Sequence, residues 1–130
     1  MNSINCTSKN NEQRSLVWEI DDSKGDIYFG AWVGQPGNIG DGLELVLVPI
    51  DDDKLWIKFI GRPDFMSGWG VPEAAILAVA QYYSKQVVST QTRSNCGNYW
   101  RSEDASKMWE RLCAKGKARF DQNEDRYMTI

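Results

Sequence analysis

The sequence predicts an α+β fold: a single mixed, mostly antiparallel sheet with two main helices, in the chain order β-β-β-β-α-β-α-β-β. Three observations predict it. Runs of β-branched, aromatic and aliphatic residues recur between turn signals through the first half of the chain, the pattern of hairpins. A helical stretch then separates two such runs, and strands joined through a helix are parallel neighbours. A second helix, with a continuous apolar stripe, precedes a terminal hairpin. At 130 residues, with 42% hydrophobic and 25% charged side chains, the chain has the size and balance of one globular domain.

Residues 1–13 are polar, rich in Asn and Ser, and predict a flexible N-terminal leader, leaving residues 14–130 as the α+β domain. Ser15 to Ile20 is the first strand. Asp21 to Gly25 is a turn, and Asp26 to Val33 returns as the second strand of a hairpin. Four glycines and a proline between Gly34 and Gly42 make that segment a loop. It reads as a plain connector, although mobile loops often border sites. Leu43 to Val48 is apolar almost without interruption, so this third strand belongs inside the sheet. Asp51, Asp52 and Asp53 lack the alternating spacing of a calcium loop and read as a solvated turn. Lys54 to Ile60 is the fourth strand.

The first helix starts near Pro72 and Glu73, both suited to a first turn, and runs apolar from Ala74 to Ala80, so it is buried on most sides. It ends near Ser84-Lys85, and Gln86 to Gln91 is the fifth strand. After a polar loop from Thr92 to Arg101, Ser102 caps the second helix. There Ala105, Met108, Trp109, Leu112 and Cys113 fall on one face, and Gly116 stops the helix. Lys117 to Phe120 and Arg126 to Ile130 form the closing hairpin.

Composition excludes several functions. A net charge of −3 argues against general nucleic-acid binding. The charge is uneven: residues 1–84 hold 6 basic and 12 acidic side chains, residues 85–130 hold 9 and 6. An ordinary solvated surface accounts for this; the sharper reading is that the C-terminal third faces an anionic ligand or partner. His is absent, which removes Ser–His and Cys–His catalysis and the commonest metal ligand. No metal site is expected. Cys6, Cys96 and Cys113 are unevenly spaced, which suits reduced thiols and a cytoplasmic location. No apolar run reaches membrane-spanning length.

The stretch Trp100-Arg101-Ser102-Glu103-Asp104-Ala105-Ser106-Lys107-Met108-Trp109-Glu110-Arg111-Leu112, followed by Gly116-Lys117-Ala118 and Asp125-Arg126-Tyr127, resembles the C-terminal end of small GNAT-like (Gcn5-related N-acetyltransferase) proteins of phages and prophages. There a helix with an S-x-x-A-x-x-x-W-x-x-L pattern precedes a terminal hairpin. The resemblance covers the chain from residue 54 on. It implies a GNAT-like sheet lacking the usual N-terminal helices, because Asp21 to Gly25 leaves room only for a turn. It also implies acetyl-CoA as ligand, its pyrophosphate held by the backbone of Met66, Ser67, Gly68, Trp69 and Gly70.

In that frame Gly68 and Gly70 match the family's glycines, while Phe65 stands where the family has Arg or Gln. Glycines at a helix start let a backbone approach phosphate closely. The same residues also fit a tight strand-to-helix turn with Trp69 covering the core edge. Many members protonate the thiolate with a Tyr on the last helix; Met108 and Trp109 hold its central positions here, and Tyr99 lies before it. Glu44 and Asp64 are the carboxylates placed for general-base work, and Cys96, near Arg93, is a possible nucleophile. No residue is assigned as catalytic. Two functions follow: an acetyl-CoA binder, with N-acyl transfer to an amine as its activity, or a non-catalytic phage-type modulator that binds a host protein through exposed aromatics.

Overall fold

Alternation of apolar and polar residues along the strands decides which sheet face is covered. In the computed structural model, which describes residues 2–38, 40–91 and 101–130, the strands are β1 (Asn2–Thr7), β2 (Gln13–Lys24), β3 (Asp26–Trp32), β4 (Leu43–Pro49), β5 (Lys54–Gly61), β6 (Gln86–Val88), β7 (Ala118–Asp121) and β8 (Arg126–Thr129). The helices are α1 (Val71–Tyr83) and α2 (Glu103–Ala114). Among the described residues these strands form one mixed sheet in the order β1-β2-β3-β4-β5-β6-β8-β7. Every pairing is antiparallel except β5 with β6, the two strands that α1 connects. The fold is therefore α+β with two helices, as the sequence predicts.

On β3, Ile27, Phe29 and Ala31 point into the core, and on β4 Leu43, Leu45 and Leu47 do the same. Both strands are interior to the sheet. The same core cluster takes in Val71, Ala75, Ile76 and Val79 from α1 and Met108, Trp109 and Leu112 from α2. Trp109 is 1% exposed and stacks on Tyr127 of β8, with centroids 5.9 Å apart and planes 11° apart. Burying a tryptophan of this size removes a large apolar area from water, so it anchors α2 to the sheet.

The helix ends follow local rules. Ser102 Oγ accepts a 3.1 Å hydrogen bond from the Ala105 amide. At the other end of α2, Gly116 has φ 72°, and the Lys117 amide donates back to the Leu112 carbonyl at 2.9 Å, a Schellman closure. The Asp51–Asp53 turn is exposed, and Asp51 accepts from the Asp53 amide at 2.7 Å, which holds its carboxyl below the ordinary value.

The predicted flexible leader needs correction. Asn2–Thr7 is a strand, paired antiparallel with β2 from Asn2↔Trp18 to Thr7↔Gln13. Cys6 is 2% exposed, and Ile4 packs against the core. Ser8 Oγ accepts from the Asn10 and Glu12 amides and shapes the turn into β2. Polar composition hid this strand, because an edge strand needs only two inward apolar residues once its ladder has a partner. The fifth predicted strand is also shorter, ending at Val88 instead of Gln91. The expectations for Arg93, Cys96 and Tyr99 lie outside the described residues.

Candidate functional site

Parallel β5 and β6 pair over three positions, from Lys54↔Gln86 to Trp56↔Val88. Then they part. β5 runs on to Gly61, whereas Ser89 bends toward β8, its amide donating to the Tyr127 carbonyl at 2.9 Å. A slot of about 270 Å³ opens between them, bordered by Ile57 to Ile60, by Ser89 and Thr90, and by Ser102 and Met108 of the α2 side. Arg101 holds the far rim together. Its side chain is 7% exposed and donates to Ser106 Oγ at 2.8 Å, to the Thr90 carbonyl at 3.1 Å and to Asp125 Oδ1 at 3.2 Å. One guanidinium thus ties the end of β6, the start of β8 and the first turn of α2, a role that five donors in a fixed fork suit.

Beyond the slot, the segment from β5 to α1 turns through a single 3-10 turn at Asp64–Met66. Met66 is fully buried and pins this loop to the core, while Ser67 and Gly68 are exposed. Gly68 and Gly70 have φ of 78° and 76°, a left-handed backbone that disfavours other residues. At Gly70 there is also no room: a Cβ would lie 2.5 Å from the carbonyl oxygen of Thr7. At Gly68 a Cβ would meet nothing within 4 Å.

The loop borders a larger cleft of about 850 Å³. Its other walls are α2 and the β1–β2 turn. Met66, Ser67, Gly68 and Gly70 line it; Trp69 does not. The Trp69 indole packs against the core, with the Arg14 guanidinium 4.4 Å over its ring and Phe65 edge-on at 5.6 Å. It covers the core edge and leaves the cleft open. The amides of Met66, Ser67 and Trp69 are taken by the carbonyls of Pro63, Asp64 and Met66. Among the described residues, those of Gly68, Gly70, Val71 and Glu73 have no hydrogen-bond partner. Val71 is fully buried and does not line the cleft, whereas Glu73 does and is a donor that a reading of the glycine pattern alone passes over.

The cleft is basic. Lys9, Arg62, Lys107, Arg111 and Lys115 line it, against Asp64, Glu73 and Asp104. Glu73 Oε1 is fixed by Arg111 at 2.6 Å, a pair whose carboxylate is nearly buried and whose guanidinium is half exposed. Lys107, Arg111 and Lys115 follow a four-residue spacing along α2, which puts them on one face. That spacing is visible in the sequence. What it faces is not, since the opposing wall comes from residues about 40 positions earlier. Lys9 lies in the segment taken for a leader, so nothing local marks it.

Of the two candidate carboxylates, Asp64 lines the cleft, while Glu44 sits within β4 opposite Gly30 and Gly61. Cys6 and Cys113 are free thiols. Among the described residues, no three His, Cys, Asp or Glu side chains are grouped to hold a metal ion. No described helix is long and apolar enough to cross a membrane. No family model, curated protein or solved structure matches the chain.

Proposed function

We propose that this protein is GNAT-like and binds acetyl-CoA, with acyl transfer to an amine as its activity. One observation carries the reading: a slot between parting parallel strands opens next to a basic cleft whose wall presents unpaired amides of a glycine loop and helix start. An extended thioester arm fits the slot bordered by Ile57 to Ile60 of β5 and by Ser89 and Thr90. Pyrophosphate fits the loop amides of Gly68 and Gly70 and that of Glu73, all residues of the cleft wall, because unpaired N–H groups and the positive end of α1 favour an anion. Of the five residues that the resemblance assigns to the ligand, Gly68 and Gly70 have free amides, and Met66 and Ser67 contribute wall. Trp69 supports the loop from behind. The bound thioester supplies the acyl group, and Asp64 is the cleft carboxylate nearest in sequence to this loop. No residue is assigned the base.

Isothermal titration with acetyl-CoA and CoA tests the reading. Binding is expected for the wild type and its loss for Gly68→Trp, whose indole would project into the cleft; a thermal melt checks that the variant is folded. Absence of binding to the wild type sinks the proposal.

A second reading is supported by Tyr28 and Phe59, 44% and 50% exposed. They flank Val46 across β3, β4 and β5, since Tyr28 pairs with Val46 and Val46 with Phe59. Such a row suits contact with a host protein and needs no catalysis. Capture of a partner by the wild type but not by a Tyr28→Ser/Phe59→Ser variant, without any CoA binding, would favour it.

A further inference from the structure

Resting on the ligand reading above, we infer that the cleft selects a ligand bearing a second phosphate group, apart from the pyrophosphate, and that Lys107 and Lys115 of α2, with Lys9, provide that selectivity. In chemical terms the protein distinguishes CoA, with its ribose 3′-phosphate, from dephospho-CoA. Three observations lead there. The cleft, at about 850 Å³, is roughly three times the slot and has far more room than a pyrophosphate needs. Its amide donors all lie on the loop and α1, and Arg62 shares that β5–α1 segment, whereas its other four cations lie elsewhere: Lys107, Arg111 and Lys115 on or just after α2, and Lys9 on the β1–β2 turn. An anion seated on the amides leaves those cations for another anionic group.

Third, the charges are unequally committed. Arg111 is bound by Glu73 at 2.6 Å. Lys107 reaches Glu103 only at 3.7 Å, with both side chains well exposed, and such a pair yields readily to a phosphate dianion. Lys9 and Lys115 have no ion-pair partner among the described residues. In a chain of net charge −3, the cleft gathers five cations against three carboxylates, and cleft walls focus such a field.

The test compares CoA, dephospho-CoA and ATP by titration with the wild type, Lys107→Ala/Lys115→Ala and Lys107→Arg/Lys115→Arg. The wild type is expected to bind CoA roughly tenfold or more tighter than dephospho-CoA, and ATP more weakly than CoA. The alanine pair is expected to bring CoA down to the dephospho-CoA level while dephospho-CoA binding stays unchanged; the arginine pair keeps the preference. Raising salt should shrink the CoA to dephospho-CoA ratio. Both lysines are exposed, so the variants are expected to melt like the wild type. Equal affinity of the wild type for CoA and dephospho-CoA overturns the inference and leaves CoA binding intact. So does an alanine pair that weakens both ligands alike. If neither CoA nor dephospho-CoA binds the wild type, the underlying ligand reading fails together with it.

Discussion

Replacing Gly70 by Ala tests how the N-terminal strand supports the loop. Gly68 and Gly70 share nearly the same backbone, φ 78° and 76°. An alanine at either position therefore meets the same left-handed strain, roughly 1–2 kcal/mol. Their surroundings differ. The new methyl at position 68 touches nothing within 4 Å, but at position 70 it lies 2.5 Å from the Thr7 carbonyl oxygen. Normal contact requires the strand or the loop to retreat by most of an ångström, and overpacking of that kind adds roughly 1–3 kcal/mol. Gly68→Ala is thus expected to lose about 1–2 kcal/mol and Gly70→Ala about 2–5 kcal/mol. Urea unfolding followed by tryptophan fluorescence resolves this, because with a slope of roughly 1–3 kcal/mol/M the two midpoints differ by about 1 M. Equal midpoints would mean that Thr7 does not press on Gly70 and that β1 is not docked.

Three further outcomes are expected. Cys6 is buried and its thiol is pushed above the ordinary 9.0 by that burial, so peptide-resolved mass spectrometry should find it unalkylated by iodoacetamide until urea unfolds the chain; rapid labelling in the folded state would restore the flexible leader. Trp109→Ala should destabilise by about 3–5 kcal/mol in the same urea assay, since a 1% exposed indole stacked on Tyr127 leaves a cavity; a loss under about 1 kcal/mol would contradict its role as anchor of α2. Tyr83 has its hydroxyl pushed above the ordinary 10.0, first by burial and then by its hydrogen bond to Asp22 at 2.9 Å. Its folded pKa exceeds its unfolded one, so its contribution is intact below about pH 10 and is lost as pH climbs toward the folded value. Urea midpoints between about pH 9 and 11 should fall less steeply for Tyr83→Phe than for the wild type; identical slopes would remove Tyr83 as a cause.

Most of the architecture was legible because its signals are local. Alternation in Ile27, Phe29 and Ala31 marks a covered face, Ser102 and Gly116 mark the ends of a helix, and a helix between two strands makes them parallel neighbours. These follow from period, capping and the length of chain between elements. The first strand was not legible, because Asn2–Thr7 owes its order to β2 and to a core that accepts Cys6. Trp69 was placed at the core edge by one of the two sequence readings, yet the direction of its ring depends on Arg14, 55 positions away.

The candidate site divides the same way. The sequence by itself determined the loop with its two glycines and holds the four-residue spacing of Lys107, Arg111 and Lys115, since backbone preference and helical period act over a few residues. Only the tertiary structure decided that this row faces the loop, that Lys9 joins it, and that Glu73 neutralises Arg111 while leaving Lys115 unpaired among the described residues. Charges separated by tens of residues meet only when packing brings their elements together, and no local pattern encodes that meeting.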